Sequence, residues 1–176
     1  MIWHFPQVFS ELECKALVAA GEAWGFQPAD VRTHKGPAML THIRNNERAL
    51  GEHPTLSLQL NDLLIPQTGA VRASNHYRMY RYGAGQFFKM HRDGPTNEDG
   101  VDSKYTCLIY LNDAYLGGET TFKDFPSYPQ NMGDVLVFEH SLWHQGSEVQ
   151  TGIKYDNFFY YPIKYQKYST TSEENR

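Results

Sequence analysis

The chain has few cysteines, no long apolar run and no large excess of charge of one sign. Its only cysteines are Cys14 and Cys107 among 176 residues, too few for a four-ligand zinc site made by thiols alone. A chain of this length does not need a disulfide scaffold, so we expect both to be small buried apolar residues in a reducing compartment. The formal net charge of −4 provides no broad positive surface, so nucleic acid is not an expected partner.

A membrane location is not expected either. No segment approaches the roughly 18 consecutive apolar residues that a transmembrane helix needs. The segment Met1–Pro6 lacks the basic start and long apolar run of a signal peptide, so we expect a cytoplasmic protein. Aromatic residues, in contrast, are abundant: the twelve tyrosines and ten phenylalanines favour β-structure and aromatic-lined pockets.

The length suits one domain at residues 1–168, with a helical part at 1–66, a β-rich part at 67–168 and a frayed polar tail at 169–176. Ser10 and Glu13 form a capping-box pattern that predicts a helix ending at Gly25. A second helix is predicted from Pro54 to Pro66. The apolar positions at helical spacing are Leu12, Ala16, Leu17, Ala20 and Trp24 in the first helix, and Leu56, Leu60, Leu63 and Leu64 in the second.

After Pro66, short aromatic and β-branched segments alternate with turn residues, which predicts a β-sandwich or barrel. Strands are predicted near residues 37–44, 70–82, 86–92, 104–111, 119–122, 134–140 and 153–163. The polar loop 94–103 is long enough to be a mobile lid. Gly83-Ala84-Gly85 superficially suggests a phosphate loop, but it lacks the Walker lysine, so we interpret it as a bend and Gly117-Gly118 as a tight turn.

A metal-binding pattern lies in the β-rich part. His91 and Asp93 are two residues apart, so on a strand both side chains project to one face. Together with the distant His144 they can hold one face of an octahedral iron(II) ion and leave positions open. Lys154, further along the chain, is suited to bind the far carboxylate of a dicarboxylate co-substrate. No His-Glu-x-x-His pattern includes His140, which we interpret as a local hydrogen-bonding residue.

Further motifs occur in a fixed order between Tyr77 and Tyr161. They are Tyr82-Gly83-Ala84-Gly85-Gln86, His91-Arg92-Asp93, Leu108-Ile109-Tyr110-Leu111-Asn112, Gly117-Gly118-Glu119-Thr120-Thr121-Phe122, Gly133-Asp134-Val135-Leu136-Val137-Phe138, Trp143-His144-Gln145-Gly146 and Gly152-Ile153-Lys154-Tyr155. This series resembles the iron(II)- and 2-oxoglutarate-dependent dioxygenases, specifically their prolyl 4-hydroxylase-like branch. The resemblance implies a mainly β (α+β) fold, a double-stranded β-helix or jelly roll with supporting N-terminal helices.

The same resemblance implies roles for individual residues. His91, Asp93 and His144 are the implied iron ligands, and Lys154 is implied to pair with the C5 carboxylate of 2-oxoglutarate. Tyr110 matches a tyrosine that donates a hydrogen bond to that carboxylate. The implied reaction consumes O₂, hydroxylates an unactivated C–H bond and releases succinate and CO₂, with ascorbate as a further expected reductant. Asp93 favours hydroxylation over halogenation, because halogenases of this general fold have a small residue there.

Tyr82 matches a tyrosine near the metal and co-substrate, and strand alternation predicts that Tyr80, Arg78 and His76 share its inward face. The tyrosines can equally be core residues with satisfied hydroxyls. An inward Arg78 must meet an anion or solvent, either an internal carboxylate or a carboxylate or carbonyl of the substrate. Arg44 is a weaker candidate of the same kind. By the same alternation, Thr106 and Leu108 share the face of Tyr110, either in the pocket or in the barrel core.

Several functions stay open at this point. The expected substrate is a peptidyl residue such as proline, and the alternative is a free amino acid or another small carboxylate that Arg78 would clamp. A jelly-roll protein of the cupin type that binds zinc or copper without oxygenase activity has no need of Lys154. A nucleic-acid demethylase is disfavoured by the acidic balance of the chain, and a pure binding module is disfavoured by the complete ligand set. The sequence does not indicate the oligomeric state.

Overall fold

The computed structural model of the protein describes residues 1–68 and 73–162, so the predicted tail at 169–176 lies outside the described residues. Within them are two helices, α1 (Glu11–Trp24) and α2 (Pro54–Thr68), and fifteen strands. The first eight strands are β1 (Ile2–Phe5), β2 (Gln27–Pro28), β3 (Val31–Thr33), β4 (Gly36–Ala38), β5 (Glu47–Glu52), β6 (His76–Tyr82), β7 (Phe88–His91) and β8 (Asn97–Glu98). The others are β9 (Val101–Tyr110), β10 (Tyr115–Gly117), β11 (Thr120–Phe122), β12 (Val135–Glu139), β13 (His144–Gly146), β14 (Val149–Gly152) and β15 (Lys154–Pro162).

The main sheet is antiparallel and has the strand order β1-β12-β9-β15-β6-β5-β2, with β8 added to the end of β9. Its outer face packs against both helices, and this layer buries Leu17 of α1, Leu60 of α2 and Met79 of β6. Its inner face meets the small sheets β11-β13-β7 and β10-β14, and Phe122 and Val149 from those sheets pack against Tyr82. Two facing antiparallel sheets behind N-terminal helices confirm the predicted jelly roll.

The N-terminal helix shows how local sequence determines an element's ends. The side chain of Ser10 accepts a hydrogen bond from the backbone N–H of Glu13, and the carboxylate of Glu13 accepts one from the backbone N–H of Ser10, so the predicted capping box is confirmed. The helix ends at Gly25 as predicted. The predicted apolar face is only partly right: Leu17 is buried and Trp24 packs against the core, but Leu12 is 78% exposed.

The buried face of α1 consists of Cys14, Leu17 and Gly21. A Cβ added at Gly21 would lie 2.8 Å from the side chain of Met79, so the absence of a side chain lets the helix approach the sheet closely. Both Cys14 and Cys107 are free and buried, as expected.

The second helix starts at Pro54 as predicted but continues past Pro66 to Thr68. The hydroxyl of Thr68 donates to the carbonyl of Leu64 in this last turn. Leu56 and Leu64 are buried against the sheet, and this packing holds the helix through a proline that the sequence pattern treats as a stop.

The predicted strands after Pro66 correspond to β6, β7, β9, β11, β12 and β15, although β6 starts only at His76. The predicted strand at 37–44 is largely wrong, because only β4 (Gly36–Ala38) forms there. Strands β1, β5, β10, β13 and β14 were not predicted. The sequence of β5, Glu-Arg-Ala-Leu-Gly-Glu, has no strand-type alternation, and its conformation depends on pairing with β6.

Two turn predictions have different outcomes. Gly83-Ala84-Gly85 forms a bend closed by a hydrogen bond from the backbone N–H of Gln86 to the carbonyl of Gly83, as expected. The loop 94–103 contains a hairpin, because β8 pairs with the start of β9, and its role as a mobile lid stays a prediction. Asp99 and Gly100, both with positive φ, form the hairpin turn. No helix in residues 1–68 or 73–162 is both long and apolar enough to cross a bilayer.

Candidate active site

A cavity of about 560 Å³ opens between the inner face of the main sheet and the sheet that contains β7 and β13. This volume is within the range of small-molecule binding sites. The lining residues that matter below are Arg44, Arg78, Tyr80, Phe88, His91, Asp93, Leu108, Thr120, His144, Lys154, Asp156, Phe158 and Tyr160.

Three side chains of types that commonly bind metal ions lie together at one wall of the cavity. His91 ends β7, His144 begins β13, and the two residues are direct partners in the antiparallel pair. Asp93 follows two residues after His91, and one donor atom from each of the three residues lies within 4.8 Å of the others. The Nε2 atoms of His91 and His144 are each 3.6 Å from a different oxygen of Asp93. Strand register therefore assembles the cluster that the sequence pattern predicts.

The backbone fixes the orientation and tautomer of both imidazoles. The Nδ1 of His91 lies 2.7 Å from the carbonyl of Lys89, and the Nδ1 of His144 lies 3.0 Å from the carbonyl of Leu142. A carbonyl can only accept, so each Nδ1 carries a proton, and each ring turns its Nε2 towards Asp93. Histidines that bind metals in proteins are oriented in this way.

The charge states at this wall also suit a cation. Burial lowers the pKa of His144 to about 4, so its ring is neutral at physiological pH. Burial alone would raise the pKa of Asp93, but interactions with His91 and His144 and the hydroxyl of Thr106 hold it well below its usual range. The wall thus offers two imidazoles and one carboxylate, and this donor set fits Fe(II).

Aromatic rings hold the two histidines in place. The ring of Phe88 stacks on His91 with a centroid distance of 3.6 Å, and Phe138 packs edge-on against His144 at 4.6 Å. The other side of Phe88 contacts the guanidinium of Arg44 at 4.4 Å, and Tyr80 contacts the same guanidinium at 4.3 Å. The cluster therefore lies in a packed wall and not on a flexible loop.

Lys154 lies deep in the cavity and is only 2% exposed. Its ammonium donates to the carbonyl of Gly118 at 2.8 Å and pairs with the carboxylate of Asp156 at 3.0 Å. The rings of Tyr82 and Tyr110 lie 5.4 and 5.5 Å from the ammonium. The predicted trio of Lys154, Tyr82 and Tyr110 is thus brought together at one end of the cavity.

The hydroxyl of Tyr110 is buried and lacks a well-formed hydrogen bond within the described part of the chain, although Thr120 is close by. An unsatisfied buried hydroxyl is costly, so a ligand atom that accepts from it would be favourable.

The predicted substrate residues divide into two groups. Arg44, Arg78 and Tyr80 line the cavity, whereas His76 is exposed and pairs with Glu52 at 3.4 Å outside it. The placement of His76 on the cavity wall is therefore wrong, because β6 starts beyond the rim of the barrel.

The guanidinium of Arg78 donates to the hydroxyl of Tyr160 at 2.8 Å and has no carboxylate partner among residues 1–68 and 73–162. Arg44, which is 4% exposed, donates from Nε to Asn46, while its Nη2 is buried and has no partner in the same ranges. Within residues 1–68 and 73–162, neither of these cavity-lining arginines forms an ion pair with a carboxylate.

Sequence reasoning missed several cavity residues that the register reveals. Asp156, Phe158 and Tyr160 follow Lys154 at intervals of two along β15, so all of them face the cavity. Applying this alternation from Lys154 onwards would have found them. Thr106 was predicted on this face and donates a hydrogen bond to Asp93.

His140 packs against a residue that lines the cavity. Its buried ring packs edge-on against Tyr160, with 5.1 Å between the ring centroids. Neither ring nitrogen makes a well-formed hydrogen bond to any described residue, although the backbone of Tyr105 is close to the ring, so the local hydrogen-bonding role stays a prediction.

Comparison with known proteins shows which family this arrangement resembles. The protein is a jelly roll in which a His-Asp-His cluster, a set of side chains able to bind a metal ion, faces a cavity. The model of the 2OG-Fe(II) oxygenase superfamily matches residues 77–162, the segment that carries all three cluster residues. Over these residues the chain is similar to the iron- and 2-oxoglutarate-dependent oxygenases of that superfamily, in agreement with the resemblance of its sequence motifs.

Individual relatives agree with this resemblance. A PKHD-type hydroxylase of Paraburkholderia xenovorans is 28% identical over 182 residues, which cover 91% of this chain and 78% of the relative. The structure of a viral collagen prolyl hydroxylase from Paramecium bursaria Chlorella virus-1 has a TM-score of 0.68 at 19% identity and covers 93% of this chain and 96% of that one. A Trichoplax adhaerens prolyl hydroxylase, in complex with a hypoxia inducible factor peptide, has a TM-score of 0.72 at 16% identity and covers 92% and 83%. At these identities the two structures establish the fold alone.

Proposed function

We propose that the protein uses Fe(II), 2-oxoglutarate and O₂ to hydroxylate an unactivated C–H bond and releases succinate and CO₂. The observation that carries this proposal is the pair of backbone-oriented Nε2 atoms of His91 and His144, which face Asp93 in the same cavity as a buried ammonium. His91, Asp93 and His144 would hold the iron, which supplies oxygen activation when bound.

The remaining residues bind and orient the co-substrate. Lys154 and Tyr110 offer an ammonium and a hydroxyl at the end of the cavity remote from the mouth, where a distal carboxylate would be held by charge-assisted hydrogen bonds. Tyr82 forms an apolar wall beside them and limits the access of water. Ascorbate would act as an external reductant that keeps the iron ferrous.

The proposed substrate is a peptidyl residue such as proline. Support comes from relatives whose names state prolyl hydroxylation and, in one case, a bound peptide. The cavity mouth also suits an extended chain, because Trp143 is 40% exposed near the metal wall and carries the guanidinium of Arg92 on its ring at 4.8 Å. An exposed tryptophan offers a flat apolar surface to a peptide.

A free amino acid or other small carboxylate is the second candidate. The observation that favours it is the presence of Arg44 and Arg78 on the cavity wall without carboxylate partners in the described ranges. Because an unpaired buried guanidinium is costly, an anionic substrate group would find a favourable position there.

The test is anaerobic reconstitution with Fe(II) and 2-oxoglutarate, followed by admission of O₂ with proline-containing peptides or free amino acids. We expect succinate formation coupled to a substrate mass gain of one oxygen atom. Asp93→Ala should abolish both, while Asp124→Asn, at an exposed carboxylate that does not line the cavity, serves as the matched control. Full turnover by Asp93→Ala would refute the ligand assignment, and Arg78→Met should affect only the small-carboxylate reaction if the second candidate is right.

A further inference from the structure

The ammonium expected to bind the co-substrate already has an internal partner. Lys154 and Asp156 are 3.0 Å apart, with side chains that are 2% and 5% exposed. We propose that Asp156 competes with the distal carboxylate of the co-substrate for Lys154 and thereby sets the affinity and selectivity for the 2-oxo acid. This inference rests on the proposed function, since it concerns the same co-substrate pocket.

The geometry of β15 leaves little room for any other arrangement. Lys154 and Asp156 lie on one face of the strand, opposite Tyr82 and Tyr80 of β6, and Asp156 also pairs with Tyr110 of β9. An ammonium has three N–H groups. The carbonyl of Gly118 takes one and Asp156 takes another, so an incoming carboxylate must share Lys154 with Asp156 or displace it.

The charge of the surroundings determines the cost of sharing. The cations that line this cavity near Asp156 are Lys154 and Arg44, and the tyrosines that face it from β6, β9 and β10 are Tyr82, Tyr110 and Tyr115. The tyrosines add no charge at neutral pH, so Asp156 halves the positive charge available to a distal carboxylate. The carboxylate of Asp156 and the distal carboxylate of the co-substrate repel each other when both lie beside Lys154, and burial strengthens that repulsion.

A second observation supports the competition. The Oδ1 of Asp156 is buried without a hydrogen bond to any described residue, although Oδ2 is paired. The carboxylate is therefore held on one side only. Release of Lys154 would break one ion pair and no hydrogen-bond network.

The proposal makes a specific statement about 2-oxo acids. A 2-oxo acid without a distal carboxylate, such as 2-oxobutyrate, leaves the Lys154–Asp156 pair undisturbed, whereas 2-oxoglutarate must overcome it. Wild-type protein should therefore prefer 2-oxoglutarate by a modest factor. Replacing Asp156 by the isosteric asparagine removes the repulsion and frees Lys154, so the preference should increase.

The experiment measures dissociation constants by calorimetry on anaerobic Fe(II)-loaded protein, with 2-oxoglutarate and 2-oxobutyrate as probes. We expect Asp156→Asn to lower the dissociation constant of 2-oxoglutarate about tenfold or more and to change that of 2-oxobutyrate less than about threefold. Asp156→Glu keeps the charge and should keep the wild-type preference. Asp124→Asn is the control for loss of an exposed carboxylate and should match wild type.

An unchanged dissociation constant of 2-oxoglutarate in folded Asp156→Asn would overturn the inference. The measurement on wild-type protein does not depend on whether a variant folds. A wild-type preference for 2-oxoglutarate over 2-oxobutyrate beyond about a thousandfold would also overturn the inference. Succinate formation by wild type together with an unaffected Asp156→Asn would refute only the role of Asp156. Failure of wild-type protein to bind 2-oxoglutarate at all would refute both this inference and the proposed function.

Discussion

The buried ion pair between Lys154 and Asp156 makes a strong prediction about stability. At 3.0 Å and an effective dielectric constant of about 20, the attraction between the two charges is about 5.5 kcal/mol. Most of that attraction offsets the desolvation of both ions. Removing one partner leaves the other charge buried and uncompensated, which typically costs about 3–5 kcal/mol.

We therefore expect Lys154→Met to lower the free energy of unfolding by about 3–5 kcal/mol, or the melting temperature by about 6–20 °C for a chain of this size. Asp156→Leu should cost a similar amount. The double variant removes both charges and replaces them with apolar side chains, so it should return to within about 2 kcal/mol of wild type. The two single effects would then be strongly non-additive.

The assay is urea unfolding of protein free of metal and 2-oxo acid, monitored by tryptophan fluorescence and circular dichroism. The surface pair of Lys15 and Glu11 in α1 is a matched control, because its atoms are 2.6 Å apart but its side chains are 70% and 62% exposed. Lys15→Met should cost less than about 1 kcal/mol. If Lys154→Met also cost less than about 1 kcal/mol, or if the double variant lost the sum of both single effects, the ion pair would not be the buried, coupled unit described here.

Three further predictions concern the metal wall, pH and the first helix. Thr106→Val removes the hydroxyl that donates to Asp93 and should weaken Fe(II) binding about 10- to 100-fold in anaerobic titrations, while a change under about twofold would exclude a supporting role. Burial alone would raise the pKa of Asp134, but hydrogen bonds from the backbone N–H of Gln7, the side chain of His4 and the backbone N–H of Asn131 lower it. The ionised group therefore stabilises the fold above its unfolded pKa, and this contribution is lost as the pH falls through the folded pKa. Wild type should therefore lose stability more steeply than Asp134→Asn as the pH falls below about 4, and equal slopes in acid unfolding would contradict this. Ser10→Ala removes the N-cap of α1 and should cost about 1 kcal/mol in urea unfolding, with no effect on metal binding.

The parts of the fold that could be predicted are those encoded by neighbouring residues. The capping box of Ser10 and Glu13 and the bend at residues 83–85 need only local contacts, so sequence patterns identify them. Strand β5 (Glu47–Glu52) is different, because its residues have no strand preference of their own. It forms because β6 offers a complete row of hydrogen-bonding partners, and that information lies some thirty residues away in the chain.

The candidate site shows the same division. His91 and Asp93 were predictable from their spacing, and Arg44 only weakly so. Arg44 reaches the wall through a single bridge to Phe88, reinforced by hydrogen bonds from the backbone N–H of Phe87 to the side chain of Asn45. No local pattern encodes a contact of that kind, so the sequence gives the residue type that can bind an anion without giving its position.

Strand alternation explains both the error at His76 and the omission of Asp156. The two-residue repeat of a strand determines which face of the sheet a side chain occupies. It does not determine how far along the strand the enclosed part of the barrel extends. His76 has the parity of Arg78 and Tyr80 but lies beyond the rim, where it is exposed. Asp156 has the parity of Lys154 and lies inside. The face of the sheet that a side chain occupies follows from the local sequence. Its depth in the barrel follows from the register between β15 and its neighbours, and the chemistry of this pocket depends on that depth.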